Sequence, residues 1–438
     1  MKGALMKKNK LPLLLILSLL FTGCNNSVSE DNPSSPEPAV TLTNGDSETP
    51  AIPSSVLDHM ARAVSVDGFS VTEDMLTASR INDGNLTRLR DVMKRAAAGE
   101  DITIAYIGGS ITDGDSASPK NTSCYAYLTT DWWINTFPDA NIRYVNAGIG
   151  ATDSYLGAHR VQDQVLAKDP DLVVVEFAVN DGDILNRETY ESLLLHILEY
   201  DTSPAVVALM LTTEGGWDYS DVHSPVAFHY GVPIISYQAV LSKGLVTWDQ
   251  VGSQDGVHPA NGGHALIAHL LTAFYRDVLE DINTSTSEEY NIPSSTLTKC
   301  RYRNADILFA EDITPTENTG YDPMDVSWIF PGHTGWCADF SEEEASITFE
   351  VEAVAIGINY LLTNTDSWMG GNMEVYVDGE YSCTIDSYDP STWANHLVYR
   401  ECYRSQDGSS SRHTITILPA EESEGNLFFI LGLDVAYE

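Results

Sequence analysis

Ile102-Thr103-Ile104-Ala105-Tyr106-Ile107-Gly108-Gly109-Ser110-Ile111-Thr112 is the stretch on which the fold of this 438-residue chain turns. Its first six residues are mostly apolar and β-branched, the composition of a strand buried on both faces rather than one alternating between core and solvent. Two glycines then permit a tight turn, and Ser110 stands where a helix would begin. In open parallel sheets, reactive groups gather beyond the carboxyl ends of the strands. A hydroxyl in that place invites a search for partners at the other strand ends.

Working outward, the same texture repeats. Upstream, Asn85 is a candidate N-cap, and Leu86, Leu89, Val92, Met93, Ala96 and Ala97 recur at helical spacing until Gly99 stops the run. Downstream, short apolar runs appear at Ile142 to Val145, Leu172 to Phe177, Ala205 to Leu211 and Val232 to Ile235. Helical patterns separate them, such as Tyr190 to Tyr200 with Leu194, Ile197 and Leu198 on one face, and a last helix spans Gly262 to Leu279. Buried strands alternating with helices predict a three-layer αβα sandwich around a five-stranded parallel sheet, within residues 65–290.

Beyond about residue 295 long helical periodicity stops. Strand-like pieces, Ser346 to Ala353, Glu374 to Val377, His413 to Leu418 and Leu427 to Leu433, alternate with turns such as Asp378-Gly379. Residues 295–438 therefore read as a separate all-β sandwich domain.

The N-terminus reads as an address. Lys7, Lys8 and Lys10 precede an apolar stretch, Leu11 to Phe21, too short to span a bilayer comfortably. It ends in Leu20-Phe21-Thr22-Gly23-Cys24, which resembles a bacterial lipobox in which the cysteine is lipidated, with Phe21 departing from the usual aliphatic residue. Residues 1–24 are thus expected to be a lipoprotein signal, and the protein to be extracytoplasmic and lipid-anchored at a bacterial membrane or cell surface. Residues 25–64, rich in Ser, Pro, Asn, Thr and acids, read as a disordered linker. A formal net charge of -40 argues against nucleic acid as a partner, and against a membrane contact other than the anchor, because phosphates would be repelled. In an exported domain Cys300, Cys337, Cys383 and Cys402 could form two disulfides, with three pairings open. No CxxC or HExxH spacing supports a zinc site.

The other strand ends supply the partners. After the second strand comes Asn146-Ala147-Gly148-Ile149-Gly150-Ala151-Thr152, after the third Ala178-Val179-Asn180-Asp181, and before the last helix Asp255-Gly256-Val257-His258-Pro259. Of the eleven histidines only His258 has an acid three residues before it. A serine hydroxyl becomes a nucleophile when a base takes its proton, for which His258 is the candidate, and an acid must fix the imidazole tautomer, for which Asp255 is the candidate.

In order and placement, these four segments resemble the motif blocks of the SGNH (GDSL-like) hydrolase family, over about residues 102 to 275. The resemblance implies a flavodoxin-like fold and a serine esterase that forms an acyl-enzyme, with Ser110, Asp255 and His258 catalytic and no metal or organic cofactor. It implies an oxyanion hole made by the N–H of Ser110, an N–H at Gly150 or Ala151, and the Asn180 amide. Combined with export, it points to O-acetyl groups on a polysaccharide such as xylan, or to a small ester. The family usually carries glycine at the places of Ala151 and Ala178. The literal string Gly114-Asp115-Ser116 spells the family nickname, but it lies past the strand end, so Ser110 is preferred over Ser116.

Blander readings stand beside these. Asp181 reads as a structural cap, Trp132 and Trp133 as core, and His159, His196, His223, His229, His264 and His269 as packed or solvated. Trp217 follows the fourth strand on the site side; packing is the expected role and a sugar-stacking platform the alternative. Trp328, Trp336, Trp368 and Trp393 could equally fill the β core or line a carbohydrate face. Two other functions stay open: a lipase or acyltransferase acting on longer chains, and a non-catalytic carbohydrate-binding lipoprotein.

Overall fold

A computed structural model describes residues 70–282, 289–341, 344–365, 369–421, 423 and 425–438. The expected signal, Cys24 and the linker lie outside these residues, as does Trp368.

A helix, Glu73–Ser79, leads into a short strand β1 (Arg80–Asn82). Then come β2 (Ile102–Gly108), β3 (Ile142–Gly148), β4 (Leu172–Glu176), β5 (Ala205–Met210) and β6 (Ile234–Ser236). They form one sheet in the order β1-β6-β5-β4-β2-β3. Strands β2 to β6 are parallel and β1 pairs antiparallel with β6. The five parallel strands are those expected; the antiparallel edge strand was not, because three residues carry too little pattern to register. The helix Thr87–Ala97 takes Leu86 rather than Asn85 as its N-cap; Asn85 stands one residue earlier, its side-chain oxygen accepting the Thr87 N–H at 2.9 Å.

Strands β2, β4, β5 and β6 are mostly apolar because both their faces are covered, whereas β3, at the edge of the sheet, keeps Arg143, Tyr144 and Asn146 only partly covered or exposed. Ile104, Tyr106, Val174, Val207 and Leu209 pack with residues of helices Thr87–Ala97, Tyr125–Thr136 and Asn261–Glu280. On the other face Ala105, Ile107, Val173, Val175 and Ala208 pack with residues of Ser154–Gln164, Asn186–Leu198 and Ser220–His229. Trp133 is fully buried, with Trp132 edge-on to it, as core residues.

Eleven more strands follow among the described residues. They are β7 (Asn304–Leu308), β8 (Glu317–Thr319), β9 (Tyr321–Asp325), β10 (Thr334–Asp339), β11 (Ser346–Ala353), β12 (Ala355–Leu362), β13 (Asn372–Val377), β14 (Glu380–Asp386), β15 (His396–Arg404), β16 (Ser411–Pro419) and β17 (Leu427–Tyr437). They build two antiparallel sheets, β15-β12-β17-β10-β9 with β7 also on β17, and β14-β13-β16-β11-β8. Ile347, Phe349, Val375 and Ile415 of one share a core with Trp336, Ile356, Ile358, Phe428 and Ile430 of the other. Trp336 is therefore core, Trp328 is partly buried, and Trp393 is exposed with its ring stacked on His396.

The two domains share apolar surface. The α/β core continues into the β domain through Tyr302, Ala305, Ile307, Phe309 and Phe330. Tyr155 stacks on Tyr399 at 3.9 Å between centroids, and the largely buried Arg301 guanidinium grips both oxygens of Glu188 at 2.8 and 3.1 Å. Neither of the two disulfides these cysteines could have formed is present among the described residues. Cys124, Cys300, Cys337, Cys383 and Cys402 are all free thiols, and the first four are buried. Cys300 and Cys337 lie in the core shared with the α/β domain and Cys383 in the core between the β sheets, so these thiols act as small apolar side chains. Burial pushes the Cys300 thiol up to about 12 and that of Cys337 to about 11.

Candidate active site

Strand order places the motif loops side by side. Gly108 at the end of β2 pairs in register with Gly148 of β3 and Glu176 of β4, so the loops after all three strands leave the sheet at one level. Read from β3 to β6, the parallel strands have the flavodoxin-like order, whose switch point falls between β2 and β4, where a crevice opens.

Ser110 begins a single helical turn, Ser110–Asp113, directly after the Gly108-Gly109 pair. Both glycines are required by close approach. A Cβ on Gly108 would stand 2.2 Å from the Thr112 hydroxyl, and one on Gly109 2.2 Å from Asn180 Oδ1. Gly109 thus lets the Asn180 side chain lie against the turn that carries Ser110. His258 lies 148 residues further on, yet its Nε2 accepts the Ser110 hydroxyl at 2.8 Å, and its Nδ1–H donates to Asp255 Oδ2 at 2.8 Å.

The Asp255–His258 loop holds itself in shape. Gly252 and Pro259 pair across its base, and Gly256 turns at φ +73°, a conformation that favours glycine. Asp255 Oδ1 accepts the amides of His258 and Val257 and the Ser253 hydroxyl, at 2.9, 2.8 and 2.6 Å. Partial burial would raise this carboxyl. The His258 amide, the Ser253 hydroxyl, the His258 ring and the Val257 amide together outweigh it and hold Asp255 well below the usual carboxylate range. Ser116 is placed elsewhere, its hydroxyl 3.5 Å from Asp255 Oδ2, on the acid rather than the base.

Gly150 borders the nucleophile: a Cβ there would be 3.8 Å from the Ser110 Cβ. Ala151, exposed, has φ +61°, a left-handed conformation that explains why a glycine would be at home there. Among the described residues no protein acceptor takes the N–H of Ser110, Gly150 or Ala151. Ala178 is fully buried, and its carbonyl accepts the Tyr219 N–H.

Several residues that hold the site were not read from the sequence. Arg160 is buried; its guanidinium donates to the carbonyls of Gly108 (2.7 Å) and Ala147 and to the Thr152 hydroxyl, tying the β2 and β3 loops together. Burial lowers it to about 9. Glu176 is fully buried beneath the Ser110 turn and accepts the Thr112 hydroxyl at 3.1 Å. Asp181 is structural, as expected, though it works across the fold rather than as a local cap: it accepts the Ser154 N–H at 2.8 Å and pairs with buried His223 at 2.7 Å. Asp153 caps the helix after the Ala151 loop and accepts the Tyr399 hydroxyl of the β domain at 2.8 Å and the Asn186 amide at 3.1 Å. Trp217, expected to pack, is 57% exposed.

The family model described as GDSL-like Lipase/Acylhydrolase matches residues 106–266. An acetylxylan esterase of Geobacillus stearothermophilus is 27% identical over 208 residues, 40% of this chain and 93% of that protein. Among solved structures, a two-domain esterase active on acetylated mannans, co-crystallised with mannopentaose, superposes with a TM-score of 0.73 at 31% identity, covering 83% of this chain and 98% of that one. A second structure of a two-domain esterase active on acetylated mannans matches equally well, at 30% identity. The likeness covers nearly the whole of that two-domain esterase, and the family model spans Ser110, Asn180, Asp255 and His258. By descent and by fold this chain belongs to the GDSL-like lipase/acylhydrolase family and is a carboxylic ester hydrolase.

Proposed function

We propose that this enzyme removes O-acetyl groups from a neutral plant polysaccharide of the mannan or xylan type, through an acyl-enzyme. The observation that carries the mechanism is the unbroken relay from the Ser110 hydroxyl to His258 to Asp255, both links 2.8 Å. Ser110 Oγ attacks the acetyl carbonyl as its proton passes to His258 Nε2, and Asp255 stabilises the imidazolium. The oxyanion forms against the N–H of Ser110, an N–H at Gly150 or Ala151, and the Asn180 side chain. Collapse expels the sugar alkoxide, which takes the proton from His258. Water then attacks the acetyl-serine by the same route and releases acetate.

The polysaccharide assignment draws on the two similar esterases, whose described substrates are acetylated mannan and acetylated xylan. On the residues at Cys24, the enzyme acts outside the cytoplasm, held by a lipid anchor. The test is acetate release from acetylated mannan, xylan and longer-acyl esters. Acetyl esters should be strongly preferred, Ser110→Ala inactive and Ser116→Ala active. Asn180→Ala should lose about a hundredfold in kcat. A dead Ser116→Ala beside an active Ser110→Ala would sink the mechanism.

A further inference from the structure

Trp217 is a large aromatic side chain left in solvent yet held still. It closes the turn after β5: its N–H donates to the Thr213 hydroxyl at 3.0 Å and its carbonyl accepts the Thr213 N–H at 3.2 Å. Its indole N–H donates to the Val179 carbonyl at 3.2 Å, one residue before Asn180. The ring lies against Gly182, where a Cβ would come within 2.8 Å of its Cζ2 atom. Any side chain at 182 would push the indole off this seat.

The same turn also reaches the opposite wall of the site. Glu214 donates its N–H to the Gly256 carbonyl at 2.9 Å, and its carboxylate stands 3.1 Å from where a Gly256 Cβ would be. The turn therefore bridges the loop carrying Asp255 and His258 and the loop carrying Asn180. A Cβ on Gly215 or Gly216 would meet nothing within 4 Å, so these two positions of the turn face open space. An indole left more than half exposed gains little from burial in the free protein, and here its orientation is set in advance by its seat on the Asn180 loop. An exposed indole and an exposed carboxylate carried on one turn match a pyranose, which offers an apolar C–H face and hydroxyl donors at its edge.

We propose that Trp217, with the Glu214 carboxylate of the same turn, forms a subsite for a pyranose ring of the polysaccharide next to the scissile ester. The proposal rests on the polysaccharide reading above. It is tested with the full chain by measuring kcat/KM on an acetylated manno- or xylo-oligosaccharide and on ethyl acetate, which has no ring to stack. Trp217→Ala should lower the oligosaccharide to ethyl acetate ratio about tenfold, chiefly through KM. Trp217→Phe should recover part of the loss, and Glu214→Gln should lower the ratio by a smaller factor. A parallel fall on both substrates would make Trp217 a structural residue and overturn the subsite, as would an unmoved ratio. If the wild type hydrolyses ethyl acetate but frees no acetate from any carbohydrate, the polysaccharide reading falls and the subsite with it. If it deacetylates carbohydrate and Trp217→Ala does so equally well, the subsite alone falls.

Discussion

Ala151 in the oxyanion loop and Glu176 beneath the nucleophile turn show how local physics sets behaviour. Ala151 sits at φ +61°, where an L-residue's Cβ crowds its own carbonyl. Ala151→Gly should therefore raise stability, by roughly 1 kcal/mol at most once the added freedom of the unfolded glycine is counted, as read by thermal melting. Ala151→Val should lower it. Glu176 is pushed up from its ordinary 4.5 to about 7, first by burial and then by nearby Asp181, against the Thr112 hydrogen bond. Its contribution to stability is intact below pH 4.5 and lost as pH rises to about 7, because the unfolded carboxyl gives up its proton before the folded one does. The loss is roughly 3 kcal/mol. Glu176→Gln cannot ionise, so between about pH 5 and about pH 8 its melting temperature should fall less than that of the wild type. An equal fall in both would show that another group carries the dependence.

The helix Ser154–Gln164 is the element on which the site depends most. Its N-terminus is capped by Asp153, its Gly157 packs on the Phe177 ring, and its Arg160 reaches under both loops. Replacing Arg160 with Met keeps the stem and removes the donors, leaving the carbonyls of Gly108 and Ala147 without this partner. The cost should be about 2–4 kcal/mol in chemical denaturation, with a fall in kcat from loosened oxyanion loops. A stable but equally active variant would remove Arg160 from this account. Nothing in the helix marks Arg160 beforehand, since it stands among other polar residues, Ser154, His159, Gln162, Asp163 and Gln164, with no motif of its own.

Across the molecule, the β domain reaches the oxyanion side of the α/β domain through Tyr399. Its hydroxyl and Asn186 share the Asp153 carboxylate, and Asn186 Oδ1 in turn accepts the amides of Gly182 and Asp183 beyond Asn180. One contact between domains thus bears on both loops around the oxyanion. Tyr399→Phe keeps the stack on Tyr155 and removes only the hydroxyl. It should lower kcat about tenfold with KM little changed, on ethyl acetate as well as on carbohydrate. An unaltered kcat would limit the β domain to packing.

What the sequence determined by itself was local. Doubly buried strands need unbroken apolar runs, so the parallel sheet showed in its periodicity. Ser110 and Asn180 showed because each follows a strand end, and Asp255 and His258 because they stand three residues apart in the loop before the last helix. Tertiary structure alone decided the rest, because the deciding distances join residues far apart in the chain. Asp153 and Tyr399 are 246 positions apart and Thr112 and Glu176 are 64, separations over which no spacing pattern carries information. The cysteines make the same point in reverse: their number and setting suggested pairs, and only packing could show that Cys300, Cys337 and Cys383 had been folded in as apolar side chains.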